Sequence, residues 1–153
     1  MILSDFQGNI LDNSFANPKF PPIANNAVIG QSPNSPPTGT GQQWMWRTAN
    51  ATLGTLSIQN AVNGVWLSYP GATNPDQLSS FVGATTQLSQ SQALAFRLFC
   101  SDTENSTYIA ERESGFMLTS WPAEIGSPTT PVTYDGGALR PEQLWTFEYQ
   151  PSA

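Results

Sequence analysis

One motif occurs three times along this chain. Around Gly8 the sequence runs Ile2-Leu3-Ser4-Asp5-Phe6-Gln7-Gly8-Asn9-Ile10-Leu11. Around Gly64 it runs Ile58-Gln59-Asn60-Ala61-Val62-Asn63-Gly64-Val65-Trp66-Leu67, and around Gly115 Ile109-Ala110-Glu111-Arg112-Glu113-Ser114-Gly115-Phe116-Met117-Leu118. Each copy has isoleucine six residues before the glycine, a large apolar residue two after it and leucine three after it. The glycines are 56 and 51 residues apart. A second anchor follows in step: Gln42-Gln43-Trp44-Met45-Trp46, a degenerate Leu94-Ala95-Phe96-Arg97-Leu98, and Gln143-Leu144-Trp145-Thr146-Phe147. Between the anchors, Val28, Val82 and Val132 mark a weaker strand in each copy. The chain of 153 residues thus divides into units at roughly 1–56, 57–107 and 108–153 of one domain spanning 1–153. A repeat of this length cannot bury its apolar face alone, but three around an axis can close a barrel.

Each unit reads as strands. Leu56-Ser57-Ile58 and Thr107-Tyr108-Ile109 alternate apolar and polar residues, the period of a half-buried strand. The repeated glycine then falls at a tight turn, where a positive φ carries no Cβ penalty. Thirteen prolines and twelve glycines, scattered along the length, leave no room for a sustained helical period. Charged residues are only 10% of the chain, so Ser, Thr, Asn and Gln supply the polar surface and favour turns. With 39% hydrophobic and 11% aromatic residues, the expected class is an ordered all-β domain rather than a disordered chain.

The charge balance excludes several functions. Net charge is −6, and the cations are Lys19, Arg47, Arg97, Arg112 and Arg140 without a cluster among them. Nucleic acid, which is bound through grouped Lys and Arg, is not an expected partner. No apolar run reaches membrane-spanning length, so membrane insertion is not expected, and the N-terminus lacks the pattern of a signal peptide. A cytoplasmic location is expected, with a secreted mature form also compatible. The sequons Asn50-Ala51-Thr52 and Asn105-Ser106-Thr107 matter only in the secreted case. There is no histidine, which removes His-dependent triads and most zinc sites, so neither metal nor cofactor is expected. The single cysteine, Cys100, follows Phe96, Leu98 and Phe99 and is expected to be a buried small hydrophobe. Glu111 and Glu113 would point the same way on a strand, but Arg112 lies between them and a solvated surface is the expected reading. The protein is not expected to be an enzyme.

A threefold unit with Gly-x-x-Leu and a closing Gln-x-Trp resembles the ricin-B-type β-trefoil family, over nearly the whole chain; small fungal lectins look similar in size and composition. The resemblance implies a β-trefoil with pseudo-threefold symmetry and a lectin for galactose or N-acetylgalactosamine glycans or glycoproteins. In that family an aspartate after Gly-x-x-Leu accepts sugar hydroxyls and an aromatic ring stacks on the sugar. A pyranose has one C–H face and a rim of hydroxyls, which suits this pairing. Carried over, the aspartate is Asp12, with Ser68 and Thr119 at the matching positions. Asn13, Asn25, Asn26 and Gln42 would add amides and Phe20 a ring; the family's usual Asn before Gln-x-Trp is Gly41 here. The third unit offers another set, Trp121, Tyr134 and Asp135, in which Trp121 has no repeat counterpart. Trp44 and Trp145 recur in register and are expected in the core, as are Trp66, aligned with Ile10 and Met117, and Trp46 and Phe147, which share a face with the repeat aromatics. The rival reading is a β-trefoil protease inhibitor acting through rigid Pro-rich loops such as residues 17–22 and 32–37, with Lys19 entering a protease pocket. A homodimer is among the expected assemblies.

Overall fold

The computed structural model describes residues 1–14, 16, 21–35, 40–72, 78–103, 105–137 and 139–149. The first unit contributes β1 (Ile2–Ser4), β2 (Ile10–Asn13), β3 (Val28–Gln31) and β4 (Trp44–Asn50). The second contributes β5 (Thr55–Asn60), β6 (Trp66–Ser68), β7 (Val82–Gly83), β8 (Thr85–Gln87) and β9 (Phe96–Cys100), its third strand being split at Ala84. The third contributes β10 (Thr107–Glu111), β11 (Met117–Ser120), β12 (Thr129–Asp135) and β13 (Leu144–Glu148). Helix among the described residues is limited to two 3-10 turns, Gln90–Gln92 and Pro141–Gln143.

First and last strands of the units alternate around a barrel, paired in the order β4-β5-β9-β10-β13-β1. The ring closes where Met1 and Trp44 exchange backbone hydrogen bonds, Trp44 N to Met1 O at 2.9 Å and the terminal ammonium to Trp44 O at 2.8 Å. Second and third strands form three hairpins, β2–β3, β6–β8 and β11–β12, that cap one end. They meet at the axis, where Val28 N donates to Ala84 O at 2.9 Å and Ala84 N to Val132 O at 2.8 Å. Ala84, not Val82, is therefore the partner of Val28 and Val132; Val82 pairs with Tyr134 beside the split.

The core is threefold. Leu11, Leu67 and Leu118 are fully buried, as are Trp44, Phe96 and Trp145, all in one apolar cluster. The Gln-x-Trp indoles also carry polar duty. Trp44 Nε1 donates to Leu11 O at 2.8 Å and Trp145 Nε1 to Leu118 O at 2.9 Å. Phe96 has no N–H, and in the second unit the matching Leu67 carbonyl accepts from Leu94 N at 3.2 Å. Each buried carbonyl thus finds a donor, as buried backbone requires.

Some sequence expectations shift. Gly8, Gly64 and Gly115 do take positive φ, at 84°, 75° and 72°. The first turn, however, is one residue shorter, because Ser4 pairs with Ile10 where Gln59 pairs with Trp66 and Ala110 with Met117. The core partner of Ile58 and Ile109 is consequently Leu3, not Ile2, and all three are fully buried. Trp66 is buried, but Trp46 and Phe147 are only half-buried, in an edge-to-face pair with centroids 5.3 Å apart. Cys100 is exposed: β9 runs past the aromatic layer, so its residues after Phe96 face solvent. Glu111 and Glu113 do not share a strand face. β10 ends at Glu111, whose buried carboxylate accepts the backbone N–H groups of Glu113 and Ser114 and closes the turn.

Candidate functional site

Asp12 is the third residue of β2, opposite Ile29 on β3. All four β2 residues are buried, so the aspartate belongs to a strand in a polar cluster rather than to an open turn. It is 5% exposed. Gln42 reaches it from the segment before β4, with Nε2 donating to Asp12 Oδ2 at 3.1 Å and to Ser32 O at 2.9 Å, while its Oε1 accepts from Asn34 N at 2.7 Å. Gly41 is required for this approach: a Cβ there would lie 2.3 Å from Asn13 O and 2.7 Å from Asp12 Oδ1. The family asparagine before Gln-x-Trp has no room here. Asn26 donates its amide to Asn13 Oδ1, and Asn13 Nδ2, also buried, has no hydrogen-bond partner.

Burial raises the Asp12 carboxyl above its usual range, and the Gln42 bond draws it partly back. No ion pair among the described residues involves Asp12. A desolvated carboxylate whose partner among the described residues is one amide donor retains capacity to accept further hydrogen bonds. The third unit keeps the amide contact and loses the charge, while the second, with Leu94 in place of Gln42, keeps neither. Ser68 Oγ donates to Gln92 O at 2.6 Å, and Gln143 Nε2 lies 3.5 Å from Thr119 Oγ1.

The other expected site residues divide. Asn25 does not join Asp12. It lies in left-handed backbone, φ 58°, and its Oδ1 accepts from Gly71 N at 2.7 Å and Gln87 Nε2 at 2.9 Å, tying the first unit to the second. Tyr134 is fully buried, stacked on Phe96 at 6.3 Å, with its hydroxyl donating to Ser68 O at 2.8 Å. Burial, together with the charge of Glu111, holds its phenol well above the ordinary range. It is a core residue, placed inward because Leu118 and Tyr134 face each other across β11 and β12. Phe20 and Lys19 lie outside the described residues.

Trp121 and Asp135 do come together, with partners the sequence did not single out. Trp121 follows β11, is half-buried, and is oriented by Nε1 donating to Thr133 Oγ1 at 2.8 Å. The Arg140 guanidinium lies 5.0 Å from its ring centroid and pairs with the buried Asp135 carboxylate, to which Ser80 Oγ also points at 3.5 Å. Phe81 stacks on Trp121 with centroids 6.3 Å apart and planes at 29°, yet is 64% exposed. Arg140 Nε and Gln143 Oε1 are buried without partners beneath this cluster.

Phe81 occupies a position with a repeat counterpart. It stands three residues before Ala84, as Asn25 stands three before Val28. Its N–H donates to Tyr134 O at 2.8 Å, as that of Asn25 does to Thr86 O at 2.7 Å. Both are left-handed, at 63° and 58°. The first and second units share positive φ here, whereas Thr129, the third unit's counterpart, lies in the extended strand β12. Asparagine meets that demand at little cost, whereas an ordinary side chain loses roughly 1–2 kcal/mol. No sequence signal marked Phe81, because only the folded chain lays the second unit's loop over β12 of the third.

A six-stranded barrel capped by three hairpins around a pseudo-threefold axis defines this protein as a β-trefoil. Three solved structures are similar to it over nearly their whole length. The Rhizoctonia solani agglutinin has a TM-score of 0.73 at 19% identity, covering 95% of this chain and 90% of that one. The designed 3-fold symmetric protein ThreeFoil has 0.72 at 19%, covering 95% and 94%. The Macrolepiota procera ricin B-like lectin, solved in complex with lactose, has 0.69 at 18%, covering 94% and 90%. No protein-family model matches the chain, and no curated protein matches it by sequence.

Proposed function

We propose that this β-trefoil is a carbohydrate-binding lectin that recognises galactose or N-acetylgalactosamine glycans reversibly and without catalysis. The observation that carries this reading is Asp12: a carboxylate desolvated within a polar cluster, with Gln42 donating to it and no cation paired to it among the described residues. Vicinal sugar hydroxyls donate to such an acceptor by charge-assisted bonds, which exceed neutral ones in strength. The fold supports the same reading, since one neighbour of like fold was solved with lactose bound. Recognition without chemistry is consistent with a site that holds one carboxylate and no histidine.

A glycan array on the wild type and Asp12→Ala tests this. The wild type is expected to bind galactose-type glycans, and the variant to lose roughly ten- to a hundredfold in affinity, the worth of a charged hydrogen bond. Absence of any glycan ligand, with inhibition in a parallel protease panel, would replace the lectin by the inhibitor.

A further inference from the structure

We propose that the free edge of β4 receives an extended peptide with acidic side chains, added to the barrel as a strand in line with β1. The inference is independent of the Asp12 site. β4 pairs along its length with β5, from Trp44 opposite Asn60 to Asn50 opposite Thr55. On its other edge, among the described residues, Trp44 alone meets the barrel backbone, exchanging both bonds with Met1. Backbone groups two residues apart on an antiparallel strand point the same way. Gln43 O accepts from Ala61 N at 2.8 Å, so Met45 and Arg47 also bond towards β5, while Trp46 and Thr48 turn away from it as Trp44 does. The Thr48 carbonyl is met by Gln90 Nε2 at 3.4 Å. The Trp46 N–H and C=O and the Thr48 N–H have no backbone partner among the described residues. A row of such groups at strand spacing is a template for another strand.

A cavity of about 280 Å³ lies beside this edge, lined by Met1, Trp44, Met45, Trp46, Arg47 and Tyr149. Tyr149 follows β13, the neighbour of β1, so the cavity lies between β4 and the end of β13. Its two thioethers and its aromatic rings suit an apolar side chain. Arg47 supplies the charge. It is exposed, donates to Gln59 Oε1 at 2.9 Å and to Met45 Sδ at 3.6 Å, and pairs with no carboxylate among the described residues. Side chains of an added strand alternate, so an apolar one can enter the cavity while an acidic one meets Arg47. A second copy's β4 is the poorer occupant: Trp44–Asn50 contains no acid, and self-pairing would bring a second Arg47 to the first.

The probe is an acetylated, amidated heptapeptide alternating isoleucine and glutamate, titrated into the full chain with amide-resolved NMR and hydrogen exchange. Controls are the lysine analogue and a fully N-methylated glutamate analogue, which cannot donate from its backbone. In the free chain, the Trp46 and Thr48 amides are expected to exchange faster than those of Met45 and Arg47. The glutamate peptide should give saturable shifts over Met45, Trp46, Arg47, Thr48 and Tyr149 and slow exchange at Trp46 and Thr48. Both controls should bind about tenfold or more weakly. Arg47 is exposed, so Arg47→Glu spares the core, and it should reverse the order of the glutamate and lysine peptides. No saturable shift at these amides, equal binding of the two charges, or affinity indifferent to N-methylation would each overturn the proposal. So would slow exchange of Trp46 in the free chain: if it is independent of protein concentration the edge is already covered, and if it grows with concentration the occupant is a second copy.

Discussion

At the scale of single residues, Asp12 shows how a fold sets the chemistry of a side chain. Its carboxyl is held above the usual range by burial, with Gln42 opposing. The folded protein therefore takes up a proton there more readily than the unfolded chain. Ionisation at neutral pH opposes folding, and the penalty lifts as pH falls through the folded-state pKa. Asp12→Asn keeps the shape and removes the charge. Its stability relative to wild type should be greater at about pH 7 than at about pH 3, as urea denaturation at both values would show. A difference of the opposite sign would mean that a cation compensates Asp12 in solution. The sequence identified this residue and the Gln42 that serves it, because both sit at fixed offsets from repeated motifs. Tyr134 was misplaced because two-residue alternation does not say which face of β12 turns inward. Phe81 was missed because its partner Trp121 is 40 residues away in sequence.

At the scale of the element, the turns and the Gln-x-Trp strands divide the work. Gly115 has φ 72° and open space where a Cβ would stand, so Gly115→Ala meets only backbone strain. A loss of about 1 kcal/mol in chemical denaturation is expected. Gly41→Ala should cost more, because its Cβ would press on Asn13 O and Asp12 Oδ1. Equal losses from the two substitutions would show that the cluster around Asp12 yields. The Trp145 indole fills the core and satisfies Leu118 O at 2.9 Å. Trp145→Ala should cost about 3–5 kcal/mol through the cavity. Trp145→Phe leaves that carbonyl unsatisfied and should cost at least about 1 kcal/mol. Phe96 carries no such burden, since Leu94 N serves Leu67 O. The degenerate second copy of the motif, weak by sequence, thus has a structural equivalent.

For the whole molecule, threefold repetition of the backbone carries unequal side chains. Asp12, Ser68 and Thr119 occupy matching positions, and only the first brings charge. Phe81 and Trp121 meet across a unit boundary. No group of three His, Cys, Asp or Glu side chains able to hold a metal occurs among the described residues. The proposed recognition through Asp12 predicts glycan binding unchanged by chelator, measured as binding isotherms with and without EDTA. Loss of binding in EDTA would point to an oxygen-ligand cation site.

The sequence by itself determined the strand-rich class, the threefold unit, the glycine turns and the large buried aromatics. These are local or periodic properties: a positive φ selects glycine and a repeated core position selects a large ring. Tertiary structure decided the rest. One residue removed from the first turn moved the core position from Ile2 to Leu3, because side chains alternate and a shift of one exchanges the two faces. Only the closed barrel turned Tyr134 inward and set Phe81 against Trp121. Contacts between units depend on how three copies pack around the axis, and no spacing along a single chain encodes that.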